Sequence, residues 1–331
     1  IVSIMIKNIA VVGCGHWGKN LIRNFSELGV LYAVCDENKE LADKFADLYK
    51  VDNLNFNEII NNESIQGVVI AAPAVLHAQL AIKALSAKKH VYVEKPLSLN
   101  IHDSNEMIKT SLDNNVQLMV GHLLQYHPIF IKLLELVNLG KFGNILSISS
   151  NRMSFGKVRS EEDVIWSFAP HDISMILALA QRTPSSVIAE SSYLLRKNVA
   201  DSAKIYLKFG NSFNADISVS WINPFKEHKL VLVGELGMAV FDDTLDWEKK
   251  LAITNYDLNQ NDSGITIEKS ESNYIKVNQS EPLKNECAHF VEVVNEKKMP
   301  RTNASEGLEV VKVLSAASLS AKNNIYVEIE K

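Results

Sequence analysis

Short apolar runs alternate with helical periods along the first third of the chain. The apolar runs lie at residues 9–12, 31–35, 67–72, 90–93 and 117–120. Between them, apolar residues recur at helical spacing over residues 17–28, 41–49, 78–87 and 103–114. Nearly continuous apolar strands separated by helices are typical of a parallel sheet that is covered on both faces. The pattern predicts a doubly wound α/β domain over residues 1–122.

Beyond His122 the pattern changes to strands in which polar and apolar residues alternate. The predicted strands lie at residues 204–209, 213–221, 230–233, 238–241, 251–254, 265–268 and 274–277, and the first two pairs form hairpins. Helices are predicted at residues 129–139, 171–180 and 304–321. Residues 123–331 are therefore expected to form an α+β domain with a large, mostly antiparallel sheet. The last helix is apolar along one face, so it must pack against another element.

The composition mainly excludes other classes of protein and of binding site. The 331 residues include 34 Lys and Arg against 39 Asp and Glu, with no basic block, which argues against nucleic-acid binding. The longest apolar run, Val68–Leu76, has nine residues, too few to cross a bilayer. The three cysteines fit neither a disulfide framework nor a metal-ligand spacing, so we expect no metal site and a reducing cytoplasmic location. The first four residues lack signal-peptide features, and Met5 is expected to be the natural start.

A glycine-rich turn follows the first predicted strand. The segment Gly13-Cys14-Gly15-His16-Trp17-Gly18 has the G-x-G-x-x-G spacing and opens a helix. The first glycine of such a turn permits the bend, the second lets the backbone approach a pyrophosphate, and the third lets helix and strand pack closely. We therefore expect the turn, including His16 and Trp17, to bind a dinucleotide. A strand-turn-helix without cofactor is the alternative.

Asp36 ends the second predicted strand, eighteen residues after Gly18. A carboxylate at this place accepts hydrogen bonds from the ribose hydroxyls of NAD, and it repels the 2′-phosphate of NADP. The sequence therefore predicts NAD in preference to NADP, although the nearby Lys39 weakens that preference.

Two further strand ends carry candidate residues. Glu94-Lys95-Pro96 follows the strand at 90–93, at the edge where open parallel sheets bind their ligands, so Glu94 and Lys95 are candidates for contact with the cofactor. Pro96 keeps Lys95 out of helical backbone and permits a cis bond, so we expect the ammonium group at a fixed place. A solvated Glu–Lys pair is the alternative. Ala72-Pro73 and His77 follow the preceding strand, where Pro73 is a candidate for lining the cofactor site and His77 is either a site residue or only a helix N-terminal residue.

His171 follows Pro170 at the predicted start of a helix in the second domain. Proline suits the first helical position. A histidine in the first turn is kept neutral by the positive end of the helix dipole, and it can then accept a proton near pH 7. By itself such a histidine is more often structural than catalytic.

Together these features resemble the Gfo/Idh/MocA family of oxidoreductases over essentially the whole chain. The resemblance rests on the glycine turn, Asp36, Ala72-Pro73 with His77, Glu94-Lys95-Pro96 and a histidine that opens a helix in the second domain. It implies a Rossmann domain and pyridine-nucleotide-dependent oxidation or reduction of sugar and cyclitol hydroxyls. It also implies a large open sheet that forms homodimers or homotetramers, and a last helix that packs back toward the first domain.

The resemblance assigns roles by motif. Lys95 matches the family lysine that orients the reacting hydroxyl and shares in proton transfer, and His171 matches the usual general acid/base. Ser167 stands where the family often has aspartate, so the division of proton transfer between Lys95 and His171 stays open. This interpretation requires both groups to converge on one carbohydrate hydroxyl.

The segment from Asn151 to Ser174 is most similar to the bacterial UDP-N-acetylglucosamine 3-dehydrogenase branch of that family. Its cations Arg152, Lys157 and Arg159 are suited to bind a UDP diphosphate, and a basic surface loop is the alternative. The other substrate contacts implied by the resemblance are Gln125, Tyr126, Trp166, Ser167 and Asp172.

The sequence thus predicts a cytoplasmic NAD-dependent enzyme that oxidises the 3-hydroxyl of a UDP-N-acetylhexosamine for amino-sugar or surface-polysaccharide biosynthesis. The alternatives are a dehydrogenase of a free sugar or cyclitol, a dinucleotide-binding regulator without catalysis, and a glycosidase that uses NAD transiently. The expected partners are the small-molecule substrate and copies of the same chain, with no nucleic acid and no membrane.

Overall fold

The computed structural model describes residues 6–156, 158–159, 162–261 and 264–329. Met5 and Lys157 lie outside the described residues. The chain divides into two compact units. The first contains the residues up to Tyr126 together with Glu281–Val311, and the second contains His127–Ser280 together with the residues from Lys312 onward.

The first unit is built on a parallel sheet. Its strands are β1 (Ile9–Val12), β2 (Leu31–Cys35), β3 (Asp52–Asn53), β4 (Gly67–Ile70), β5 (His90–Glu94) and β6 (Leu118–Gly121). They lie in the order β3-β2-β1-β4-β5-β6, and every neighbouring pair is parallel. The intervening helices are α1 (Gly18–Glu27), α2 (Lys39–Tyr49), α3 (Phe56–Asn61), α4 (His77–Ser86) and α5 (Ile101–Asp113). This topology confirms the predicted doubly wound α/β fold.

Residues 281–311 belong to the first unit, although the sequence boundaries place them in the second domain. The segment contains α8 (Pro282–Glu296) and the beginning of the last helix, α9 (Ala304–Asn323). Phe290 of α8 lies edge-on to Phe25 of α1 and to Tyr92 of β5, with ring centroids 6.2 and 5.8 Å apart. Burial of these rings contributes strongly to the core, and this contact explains why the segment groups with the first unit.

The second unit is built on a larger mixed sheet. Along the chain, one helix precedes the first strand of this sheet and a second helix follows that strand. The helices are α6 (Pro128–Asn138) and α7 (Val164–Ala180). The strands are β7 (Ile145–Phe155), β8 (Ser186–Ser192), β9 (Ser202–Phe209), β10 (Phe213–Ser220), β11 (Ile222–Gly234), β12 (Gly237–Asp242), β13 (Leu251–Asn261), β14 (Gly264–Lys269), β15 (Asn273–Tyr274) and β16 (Val327–Glu328).

The second sheet has the order β14-β13-β12-β11-β7-β10-β9-β8-β16, with β15 paired to β13. β7 pairs with β10 in parallel, and the other described pairs are antiparallel, which confirms the predicted mostly antiparallel sheet. Several elements were not predicted from the sequence: β3, β7, β8, β16, α3 and α8. In β7 only Ile148 and Ser150 are buried, so the strand lacks the alternation of apolar residues that identifies a half-buried strand.

No helix within the described residues combines the length and the apolar character that a bilayer crossing requires.

Candidate active site

Four of the predicted motifs lie at one edge of the first sheet. The glycine turn follows β1, Asp36 follows β2, Ala72-Pro73 follows β4, and Lys95-Pro96 follows β5. Because β2, β1, β4 and β5 are parallel neighbours, their carboxyl ends share this edge. The connection after β1 runs to β2 on one side, and the connection after β4 runs to β5 on the other side. Such a switch point is where open α/β sheets bind ligands.

Two positions of the glycine turn require glycine, because a side chain at either one would collide with neighbouring backbone atoms. Gly13 has φ +100°, and a Cβ built on it would lie 2.6 Å from the carbonyl oxygen of Ala71. A Cβ on Gly18 would overlap the carbonyl oxygen of Gly13. A Cβ on Gly15, in contrast, would meet no atom of the described residues within 4 Å. The turn therefore leaves open space beside Gly15 in front of the α1 N-terminus, as a bound pyrophosphate requires.

Asp36 is fixed beside this turn by backbone hydrogen bonds. Its Oδ2 accepts from the N–H of Cys14 at 2.6 Å, and its Oδ1 accepts from the N–H of Asn38 at 2.8 Å. A carboxylate has further lone pairs, so Asp36 can also accept from a ribose diol. Burial, together with the charge of Asp36, raises the pKa of the Cys14 thiol to about 12, so this thiol is neutral and unsuited to nucleophilic chemistry.

His77 connects two of the loops at this edge. Its side chain is 1% exposed. Nδ1 lies 2.8 Å from the carbonyl oxygen of Pro96, and Nε2 lies 2.9 Å from that of Ala72. The structure therefore gives His77 a buried position between the loops after β4 and β5. Pro73 is exposed at the same edge.

Glu94 accepts hydrogen bonds from the glycine turn and from its own strand. Its Oε1 accepts from the indole N–H of Trp17 at 2.6 Å and from the hydroxyl of Tyr92 at 2.9 Å. Its Oε2 lies 3.3 Å from the backbone N–H of Lys95. The Lys95-Pro96 bond is cis, and Lys95 is half-buried. Glu94 thus joins the glycine turn to the loop that carries Lys95, while its predicted contact with a cofactor stays a prediction.

Gln125 and Tyr126 are placed differently from the sequence expectation. The amide of Gln125 donates to Glu306 Oε1 at 3.0 Å, and its side chain is buried. Tyr126 is 2% exposed, in the core of the first unit, and its hydroxyl lies 3.0 Å from Thr302 Oγ1. Burial raises the pKa of this hydroxyl. The structure therefore assigns Tyr126 to the core, which corrects its predicted role in substrate binding.

Glu306 was missed by the sequence analysis. Its Oε2 lies 2.7 Å from Nδ1 of His122, and its Oε1 accepts from Gln125. Glu306 lies 184 positions from His122 and 181 from Gln125 along the chain, so no local pattern links it to them.

His171 lies in the interior of α7, which corrects its predicted place in a first helical turn. α7 begins at Val164 and is capped by Asp163, whose side chain accepts from the N–H of Trp166 at 3.0 Å. His171 is the eighth residue of the helix. The dipole effect is confined to the first turn, so it does not act on this imidazole. Pro170 is tolerated inside the helix because neighbouring residues are held by packing, including buried Ala169 and Ile173.

Asp172 and Arg152 form a buried ion pair between α7 and β7. Arg152 Nε donates to Asp172 Oδ2 at 2.6 Å, and Nη2 lies 3.3 Å from Oδ1. Ser150 Oγ donates to the same carboxylate at 2.6 Å. The side chains of Arg152 and Asp172 are only 11% and 1% exposed. This pairing uses the groups that were predicted to contact substrate, so it assigns them first to holding α7 on the sheet.

His228 of β11 is a further residue of this cluster that the sequence analysis missed. Burial lowers its pKa to about 4, and the positive charges of Arg152 and Lys226 act in the same direction. The imidazole is therefore neutral at pH 7. A single histidine in a strand of alternating polar and apolar residues gives no sequence signal that it lies beside a buried ion pair.

The remaining candidates in α7 and before it occupy distinct environments. Arg159 is exposed and pairs with Glu162. The indole N–H of Trp166 donates to Ser318 Oγ at 2.9 Å, and Ser167 is 3% exposed within the helix. Arg159 is therefore the candidate cation among the described residues that stays most accessible to an anionic ligand. The predicted substrate contacts of Trp166 and Ser167 stay predictions.

Two family models match the chain. Residues 7–122 match an oxidoreductase family with an NAD-binding Rossmann fold, and residues 130–240 match the Gfo/Idh/MocA C-terminal domain. Together the two matches span more than half of the sequence. The chain belongs to the Gfo/Idh/MocA family. This protein is thus an oxidoreductase, and its residues 7–122 match an NAD-binding Rossmann fold.

Similar members of the Gfo/Idh/MocA family differ in their substrates. A UDP-N-acetylglucosamine 3-dehydrogenase of Acidithiobacillus ferrooxidans is 26% identical over 63% of this chain and 66% of its own length. Its crystal structure aligns over 95% of this chain and 97% of its own, with a TM-score of 0.83 and 20% identity. A myo-inositol 2-dehydrogenase of Thermotoga maritima is also 26% identical, over 61% of this chain and 64% of its own. GenD2 from gentamicin A biosynthesis, solved in complex with NAD, aligns over 99% of this chain and 97% of its own, with a TM-score of 0.83 and 18% identity.

Proposed function

We propose that this protein is an NAD-dependent dehydrogenase that oxidises the 3-hydroxyl of a UDP-N-acetylhexosamine to a ketone. One observation carries the redox part of the proposal. The open space beside Gly15 and the fixed carboxylate of Asp36 lie at the same sheet edge as the half-buried Lys95. The similarity to UDP-N-acetylglucosamine 3-dehydrogenase supports the choice of substrate.

The chain's own residues would bind, orient and exchange protons. When NAD is bound, its nicotinamide ring supplies the chemistry by accepting hydride from the substrate carbon. Gly15 would leave room for the pyrophosphate, Gly13 and Gly18 permit the close backbone contacts of the turn, and Asp36 would accept hydrogen bonds from the ribose hydroxyls. Lys95 would orient the reacting hydroxyl and lower the cost of removing its proton. His171 is the second candidate for proton transfer, and its action on the same hydroxyl stays a prediction.

A dehydrogenase of a free sugar or cyclitol is the second candidate function. Two observations favour it: the inositol dehydrogenase is as similar in sequence as the sugar-nucleotide enzyme, and the Arg152 guanidinium is already paired with Asp172. A cation held in this way is less available to a diphosphate.

A substrate panel tests both candidates. Purified protein is incubated with NAD and either free sugars, inositols or UDP-sugars, while NADH absorbance and product mass are recorded. A loss of two mass units from a UDP-N-acetylhexosamine alone supports the proposal, and turnover of a free sugar or inositol supports the second candidate. Cleavage without net NADH would indicate a glycosidase, and binding of NAD without any turnover would indicate a regulator.

Replacing Asp36 by asparagine is expected to shift cofactor preference toward NADP. The amide oxygen keeps an acceptor for the Cys14 N–H, whereas the charge that repels a 2′-phosphate is lost. We expect the ratio of NADP affinity to NAD affinity to rise about tenfold, which corresponds to the energy of one hydrogen bond to a charged group. Calorimetric titration of both cofactors measures this ratio. Asp47→Asn on the exposed side of α2 is the matched control, and an unchanged ratio in Asp36→Asn would contradict the role of Asp36.

The outer face of the second sheet is a candidate surface for association with copies of the same chain. In β9, exposed Lys204, Tyr206 and Lys208 alternate with residues buried against the other face. A cavity of about 640 Å³ opens here, with Tyr206 and Tyr326 among its lining residues. We expect a homodimer or homotetramer by light scattering, and Tyr206→Glu should reduce the molar mass. A monomeric wild-type protein would contradict this expectation.

A further inference from the structure

A buried chain of hydrogen bonds connects α8 to the loop that carries Lys95. Glu286 of α8 and Tyr92 of β5 are both fully buried. The Tyr92 hydroxyl oxygen lies 3.1 Å from Glu286 Oε2 and 2.9 Å from Glu94 Oε1. One phenol is therefore placed between two carboxyl groups.

The number of available protons decides how these groups are charged. A tyrosine hydroxyl carries one proton, so Tyr92 can donate to only one of the two carboxyl groups. Glu94 also receives the indole N–H of Trp17 and the backbone N–H of Lys95, which favours its carboxylate form. Glu286 Oε1 is buried without a hydrogen-bond partner among the described residues. A carboxylate in such a place is costly, whereas a carboxylic acid can donate to Tyr92.

The surrounding groups act in the same direction. Burial raises the pKa of Glu286, and the negative charge of Glu94 raises it further. The titratable groups that face Glu286 are Tyr92 and Glu94 from β5, Tyr126 from the segment after β6, and Cys287 from α8 itself. Burial also raises the pKa of Glu94, but by less than that of Glu286, because the hydrogen bonds from Tyr92 and Trp17 and the charge of Lys95 act against it.

We propose that Glu286 is a positioning residue that remains a neutral carboxylic acid and donates to Tyr92, which in turn donates to the Glu94 carboxylate. This arrangement fixes Glu94 between Trp17 of the cofactor turn and the backbone of Lys95. Through Lys95 the inference rests on the proposed function. Gly121 leaves the necessary space, since a Cβ on it would lie 2.6 Å from the Tyr92 hydroxyl oxygen and 3.0 Å from Glu94 Oε1.

Two substitutions of Glu286 test whether its side chain acts as a neutral hydrogen-bond donor or as a charged group. Glu286→Gln keeps a donor for Tyr92, so kcat is expected within twofold of the wild type. Glu286→Leu removes the donor, and kcat is expected to fall about tenfold, as for the loss of one buried hydrogen bond, with the KM for the sugar substrate nearly unchanged. Glu292→Leu, at an exposed position of the same helix, is the matched control. Equal impairment of the Gln and Leu variants, or wild-type activity in both, would overturn the proposal.

Infrared difference spectroscopy tests the protonation state without cofactor or substrate. At pH 8 the wild-type protein should show the carbonyl stretch of a protonated carboxylic acid that is missing in Glu286→Gln and present in Glu292→Gln. Absence of this band from the wild type, or its persistence in Glu286→Gln, would refute the neutral acid. This result does not depend on which substrate is turned over, so it separates failure of this inference from failure of the proposed function. If Glu286→Leu does not fold, Tyr92→Phe removes the same link and should show the same fall in kcat; normal kcat in that variant overturns the positioning role.

Discussion

Replacing Lys95 by methionine is expected to lower kcat by about a hundredfold or more, the range in which a positioned proton-transfer group contributes, while the affinity for NAD changes little. The backbone contact with Glu94 holds the loop from which Lys95 extends. Methionine preserves much of the side-chain volume and removes the ammonium group. The affinity for NAD depends mainly on the glycine turn and Asp36, so it should be preserved. Single-turnover kinetics and calorimetric NAD titration measure the two effects separately.

Two comparisons make this prediction specific. Lys83→Met removes a charge from the exposed side of α4 and should leave kcat unchanged. Lys95→Arg keeps the charge but cannot lose a proton near neutral pH, so it should stay impaired if Lys95 transfers a proton and recover if the lysine only orients the hydroxyl. An equal loss of NAD binding in Lys95→Met would mean that Lys95 belongs to the cofactor site and not to the reacting centre.

Replacing Arg152 alone by methionine is expected to destabilise the second unit by about 3–5 kcal/mol, the cost of leaving one member of a buried ion pair without its partner. The remaining Asp172 is 1% exposed, and among the described residues it would keep the hydrogen bond from Ser150. The double variant Arg152→Met/Asp172→Leu removes both charges and should recover much of the loss. Denaturant unfolding, followed by tryptophan fluorescence, provides the measurement.

The same variants decide between two roles for Arg152. Arg159→Met is the matched control for the stability measurement alone, since Arg159 pairs with Glu162 at the surface, where an ion pair contributes about 0–1 kcal/mol. If Arg152→Met unfolds like the wild type and raises the KM for a UDP-sugar but not for a free sugar, Arg152 binds the diphosphate as the sequence predicts. A stability loss with equal effects on all substrates would support its role in holding α7 on the sheet.

In α7, packing overrides the sequence rule that places proline at the start of a helix. Pro170 suits the first position of a helix, and this rule alone places His171 in the first turn. The cap at Asp163 and the buried residues Val164 and Ile165 instead begin the helix two turns earlier. The rule fails here because the apolar contacts of the earlier turns stabilise the helix by more than the missing backbone hydrogen bond of one proline destabilises it.

The sequence by itself determined the features that depend on residues close to one another along the chain. Five of the strands of the first unit and the helices α1, α2, α4 and α5 follow from the spacing of apolar residues. The sharp turn at Gly13 follows from a backbone conformation that other residues rarely adopt. Asp36 could be placed because it directly follows the strand β2.

Only the tertiary structure decided the contacts between residues that are distant along the chain. Tyr92 meets Glu286 across 194 positions, and Arg152 meets Asp172 across 20. It also placed α8 in the first unit and Tyr126 in its core. The periodicity of one segment records which of its faces is buried, but it does not record which partner covers that face. The pairing of buried polar groups, and with it their charge, is therefore settled only when the packed elements bring them together.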